Sequence, residues 1–159
     1  MPSIHHDAAR HVVIDRRPGQ YLCFPDVCLT ADQRLLVAYN EFDRHVATRR
    51  KLLLKASDDL GATWSAPMIR FAENSHCPRI RRLSCGTLVL NDDPGPRLHW
   101  SLDHGRTWAD HTMPGITEHG LLDRMLELDG ETLLTAGHGH RGTAPLPAMN
   151  QAPPEQLAY

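Results

Sequence analysis

The pattern S-x-D-x-G-x-T-W occurs twice in this chain without a mismatch, as SDDLGATW from Ser57 to Trp64 and SLDHGRTW from Ser101 to Trp108. The copies lie 44 residues apart (101 minus 57) and take two of the three tryptophans, so tryptophan abundance does not explain them. A pattern recurring at such a period marks a repeat architecture, in which each unit buries its faces against its neighbours. The residue types describe a hairpin turn. Ser and Asp side chains accept hydrogen bonds from nearby backbone N–H groups. Gly supplies the positive φ of a tight turn, and Thr and Trp are expected to begin the next strand.

The chain in order supports the same architecture. Short β-type runs alternate with turns, which predicts an all-β fold. The first set of strands is read at 23–30, 34–42, 51–57 and 64–71, with the first S-x-D-x-G-x-T-W turn before the last. The second set is read at 76–84, 87–92, 97–101 and 108–114. Pro25 and Pro78 are 53 apart, as are Leu35 and Leu88, so the first repeat holds 9 extra residues (53 minus 44), placed between Asn40 and Arg50. A third repeat begins at 121–139, with Asp129-Gly130 as its turn. Residues 1–19 read as a lead-in and 142–159, with four prolines, as a disordered tail.

On Ser57, Asp59, Gly61, Thr63 and Trp64, and on Ser101, Asp103, Gly105, Thr107 and Trp108, the sequence resembles the Asp-box (BNR) repeat of sialidase-like β-propellers. The resemblance implies that these ten residues are structural and join the third and fourth strands of a blade. It implies a β-propeller fragment of about two and a half four-stranded antiparallel blades, in a superfamily that generally has six. Blade one would be 20–73, blade two 74–116 and a partial blade three 117–141. The chain would then be a partial, truncated member, completed by missing blades or by a second copy in a homodimer.

Blade topology sorts the polar residues. The Asp-box turns fall on one rim, and the loops between strands two and three and between blades fall on the other. That opposite rim collects Glu41, Arg44, His45, His76, Arg79, Asp92, His119, Arg124 and His138 as substrate-binding candidates. Arg, His and carboxylates on one face suit a glycan or a small anionic ligand.

Similarity to sialidases also specifies what catalysis would require: three arginines on a substrate carboxylate, an Asp general acid and a Tyr–Glu nucleophile pair, a departure from the usual two-carboxylate scheme. The first arginine belongs to an R-I-P motif, where this chain has Cys23-Phe24-Pro25. Glu41 and Arg44 resemble the second position. No carboxylate stands at Val46-Ala47-Thr48-Arg49-Arg50, where the acid would sit. The Tyr–Glu pair comes from later blades. The reading is therefore a segment related to exo-acting glycoside hydrolases without a complete catalytic site, with a non-catalytic carbohydrate- or protein-binding module as the alternative.

Other features narrow the partners. A net charge of −2, with 23% charged residues, gives no electrostatic case for nucleic acid or an anionic membrane. There is no apolar signal region near the start and no run of about 20 apolar residues, so a cytoplasmic location is expected. Cys23, Cys28, Cys77 and Cys85 lack metal-site spacing and read as free thiols. His138-Gly-His140 lacks an assured third ligand, so neither metal nor cofactor is assigned. Asp92-Asp93 reads as a solvated loop before it reads as an acid–base pair.

Overall fold

The computed structural model describes residues 11–45, 47, 49–71, 75–93, 97–112, 123–139 and 157–158. Two four-stranded antiparallel sheets carry most of them. The first runs in the order β1 (Tyr21–Leu29), β2 (Leu35–Phe42), β3 (Arg50–Ser57), β4 (Met68–Phe71). The second repeats that order with β5 (His76–Arg82), β6 (Leu88–Asp93), β7 (Arg97–Ser101) and β8 (Ala109–Thr112). Two short pairs follow: β9 (Leu126–Glu127) with β10 (Leu133–Leu134), and β11 (His138–Gly139) with β12 (Leu157–Ala158). There is no helix among the described residues.

Strand β2 is the hinge of the packing because both its faces are covered. Leu36 and Ala38 enter a core with Leu52, Leu54, Ile80, Leu88 and Leu90, which joins the first sheet to the second. On the other face, Val37 and Tyr39 pack with Leu53, Ile14, Leu22 and Trp64. A strand buried on both faces reads as an apolar run without alternation. A third cluster, Leu83, Val89, Leu98 and Met125 with Trp100 and Leu133, joins the second sheet to the β9–β10 hairpin.

The first turn of each unit is closed by the same backbone bond: Thr30 N to Arg34 O (2.8 Å), Leu83 N to Thr87 O (2.8 Å) and Leu128 N to Thr132 O (3.0 Å). These bonds fix offsets of 53 (83 minus 30) and 45 (128 minus 83). Strands β1 and β5 also share a bulge at matching places, after Cys23 and after His76. Each bulge holds a non-glycine residue at positive φ, Phe24 at 52° and Cys77 at 48°, followed by Pro25 or Pro78. An extra residue there bends the strand and re-aims its neighbours.

Two details depart from the expected strands. Trp64 does not start β4, which begins at Met68. Its indole Nε1–H donates to Gly61 O (3.2 Å), folding the ring onto the turn, and Pro67 has no N–H for the ladder. Trp108 makes the same bond to Gly105 O and directly precedes β8. Within the segment read as a tail, Leu157–Ala158 pairs with His138–Gly139; residues 142–156 and 159 lie outside the described residues.

Three of the four free cysteines, Cys23, Cys28 and Cys77, are buried and Cys85 is exposed. No helix among the described residues is long and apolar enough to cross a membrane.

Candidate functional site

The two S-x-D-x-G-x-T-W turns have one hydrogen-bond plan. Ser57 Oγ donates to Asp59 (2.7 Å) and accepts from Gly61 N (2.7 Å). Asp59 also accepts from Thr63 N (2.8 Å) and Thr63 Oγ1 (2.6 Å). In the second turn, Ser101 to Asp103 is 2.9 Å and Gly105 N to Ser101 is 2.8 Å, while the Thr107 bonds are again 2.8 and 2.6 Å. Donors converging on each carboxylate favour its charged form, led by the Thr63 hydroxyl for Asp59, whose pKa falls to about 2. The Thr107 hydroxyl leads the same effect at Asp103, which is held well below the usual carboxylate range. These acids are fully committed to their turns, so they are not candidates for chemistry.

A polar cavity lies elsewhere, where β2 ends and β3 begins. It measures about 340 Å³ and is lined by Arg17, Gln20, Glu41, Phe42, Asp43, Arg49 and Lys51. Register builds it, because Glu41 pairs with Lys51 across the hairpin and facing opposite charges attract. Lys51 Nζ donates to Glu41 Oε1 at 2.6 Å, and Arg17 from the lead-in holds Oε2. Glu41 is buried, which disfavours its charge, but Lys51 and Arg17 outweigh that and keep its pKa below the ordinary value. Arg49 and Asp43 are exposed at the mouth. Behind it, Tyr39 Oη donates to Asp15 (2.6 Å), and Arg17 also pairs with Asp15 (3.1 Å).

The remaining candidates fall into separate groups. His45 is exposed and shares a 3.2 Å contact with Tyr21 Oη, their rings meeting edge to face. His76 packs against Phe24 at a centroid distance of 4.7 Å and stacks on Phe42 at 5.9 Å. Arg79 approaches Asp123 at 3.7 Å, and Arg124 pairs with Asp26, which also accepts from Ile80 N (2.9 Å). Those cations tie the inner strands together. Arg44 lies 3.7 Å from Asp43, while the arginine that pairs with Glu41 is Arg17. His138 is in β11, and His119 lies outside the described residues.

Asp92 corrects an expectation. It is a fully buried residue of β6, not part of a solvated loop. Arg97 Nη2 donates to it (3.0 Å), and buried His99 lies 3.4 Å away. His99 Nδ1 is also 2.9 Å from Asp110, which pairs with Arg70 of the first sheet. Buried carboxylates need such partners, and this group seals the seam between the two sheets. Lys51 was not among the sequence candidates, although it stands at the start of the third strand, next to the end of the second. Arg17, His99 and Asp110 left no such signal, since only the fold brings them to their partners. Among the described residues, no group of three His, Cys, Asp or Glu is arranged to hold a metal ion.

No protein-family model and no curated protein matches the sequence. Among solved structures, the Hadza microbial sialidase Hz136 superimposes with a TM-score of 0.60 at 20% identity, over 79% of this chain. The match covers 30% of that sialidase, so this chain spans less than a third of its length. At that identity the likeness is one of fold, and the fold of this chain is sialidase-like.

Proposed function

We propose that this chain is a segment of an Asp-box propeller related to exo-acting glycoside hydrolases, and that its cavity at Glu41 binds a carboxylated sugar without hydrolysing it. The observation that carries the reading is the charge arrangement in that cavity. Three cations, Arg17, Arg49 and Lys51, stand against two carboxylates, Glu41 and Asp43. Arg17 and Lys51 are engaged with Glu41, while Arg49 is exposed at the mouth. A ligand carboxylate would take Arg49 and the outer N–H donors of Lys51, charge-assisted contacts of the stronger kind. Gln20 and Asp43 suit sugar hydroxyls, and Phe42 gives an apolar wall. The solved structure that this chain resembles carries the name sialidase, which makes sialic acid the first ligand to try.

Hydrolysis is not part of the proposal, because Glu41 is held charged between two cations and so is a poor proton donor. The test is a calorimetric titration with free sialic acid and with its methyl ester. Binding of the acid, weakened at least about tenfold in the ester and in Arg49→Ala (about 1.4 kcal/mol), is expected. Equal binding of acid and ester would overturn the reading. Turnover of a fluorogenic sialoside by the purified chain would replace it with an enzymatic one.

A further inference from the structure

The repeat register exposes a pairing between the two ends of the array. In the second sheet, Ile80, Leu88 and Leu90 face the first sheet and are buried against it. Subtracting 53 gives Val27, Leu35 and Val37, which share one face of the first sheet because Val27 pairs with Val37 and Leu29 with Leu35. No sheet among the described residues covers the inner part of that face. Val27 is 52% exposed, although its equivalent Ile80 is 1% exposed in the core, and Leu29 beside it on the same face is 38% exposed.

The opposite end shows the converse. Leu83 and Val89 of the second sheet pack against Met125 and Leu133 of the β9–β10 hairpin. Adding 45 to Leu83 and Val89 gives Leu128 and Leu134. These are 57% and 54% exposed, and Leu126, which pairs with Leu134, is 47% exposed. Side chains alternate across a strand, so the hairpin turns buried Met125 and partly buried Leu133 inward and presents Leu126 and Leu134 outward.

We infer that the outward face of the hairpin in one copy docks on the Val27–Leu29 face of a second copy of this chain. Inside the chain, each covered face of this kind meets the outward face of the unit before it. This happens twice, at the seam between the sheets and at the seam with the hairpin. The exposed outward face of the hairpin and the exposed face of the first sheet are the two halves of a third such seam. Ile14 packs beside Val37, Tyr39 and Leu53, farther out on the first sheet, so β2 is buried from Leu36 onward and the open part of this face is β1 with Leu35. The contact is head-to-tail, joining different surfaces of the two copies.

Light scattering on a sizing column, with the full chain over a concentration series, reads the association. The wild-type chain is expected above its 17.9 kDa monomer mass. Val27→Asp and Leu128→Asp should each be monomeric alone. Mixed in equal amounts they should associate again, because the first retains an intact hairpin face and the second an intact sheet face. Both positions are exposed, so the fold should survive; near-ultraviolet dichroism of the tryptophans checks this. A wild-type chain that stays monomeric up to about 100 μM, a concentration at which a micromolar contact would be mostly formed, overturns the inference. So does a Val27→Asp chain that still self-associates, since that would make the hairpin its own partner. Mixed variants that remain monomeric would also overturn it.

Discussion

The two S-x-D-x-G-x-T-W turns agree closely in their internal hydrogen bonds but differ in what lies beneath them. A Cβ built on Gly61 would meet Leu35 Cδ1 at 3.5 Å, an ordinary contact. One built on Gly105 would meet Leu36 Cδ1 at 2.2 Å, with Leu36 Cγ and Cδ2 at 3.3 Å. Leu36 is buried in the core shared by the two sheets. The second turn therefore sits on the sheet before it, and Arg106 and His104 reach Asp32 in that sheet's first turn (3.1 and 3.6 Å). Local sequence sets the turn, while position in the array decides whether it also holds sheets together.

The largest separation between the turns should come from their glycines. Both have positive φ, 94° for Gly61 and 82° for Gly105, so alanine strains either backbone by about 1 kcal/mol. At Gly105 the new methyl must also displace a buried leucine, adding about 1–3 kcal/mol of overpacking. Urea unfolding should place Gly105→Ala about 2 kcal/mol or more below Gly61→Ala. Equal losses would mean that Leu36 yields freely and that the second turn does not bear on the core.

A double-mutant cycle sharpens this point. Leu36→Ala alone should cost about 2–4 kcal/mol through its cavity. In that background Gly105→Ala should cost less than in the wild type, with a coupling of about 1 kcal/mol. Additive losses would place the strain of Gly105→Ala in the turn backbone alone.

The contrast between local and positional effects also explains what the sequence made legible. Apolar runs such as Leu35–Tyr39 marked the strands, and the 44- and 53-residue spacings marked their repetition, because both signals lie in contiguous chain. The two turns were readable for the same reason. Glu41 was recognisable, but its opposite neighbour Lys51 was passed over because the register across the long loop was not readable, and its second cation, Arg17, comes 24 residues earlier along a lead-in with no strand of its own. Asp92 looked solvated beside Asp93 and the Pro94-Gly95-Pro96 segment. The seam that buries it depends on Arg70, His99 and Asp110, from three different strands in two sheets. Charges meeting across a seam leave no spacing rule in the sequence.

Acid should affect the two turns in the same direction. Asp59 and Asp103 have folded pKa values below their unfolded value of about 3.9. Their stabilisation is therefore present above pH 4 and is lost as pH falls through the folded values, near 2 for Asp59 and lower for Asp103. Asp59→Asn should lower stability at pH 7 and flatten the loss between pH 4 and 2, followed by thermal melting across that range. Asp103→Asn should do the same, with the difference extending to lower pH. An unchanged acid limb in both variants would show that the carboxylates hold their turns equally well when protonated.

The smallest effect belongs to the contact that most visibly distinguishes the two turns. Arg106 donates to Asp32 (3.1 Å) across the sheets, but both groups are substantially exposed, and exposed pairs lose most of their Coulomb energy to solvent. Arg106→Ala should therefore melt within about a degree of the wild type, since a degree is a few tenths of a kcal/mol at this size, with no added sensitivity to salt. Such a result would assign the docking of the second turn to Gly105 on Leu36, where apolar atoms meet out of water. A drop of several degrees, erased by 1 M salt, would instead mean that the ion pair orients one sheet on the other and that the buried contact follows from it.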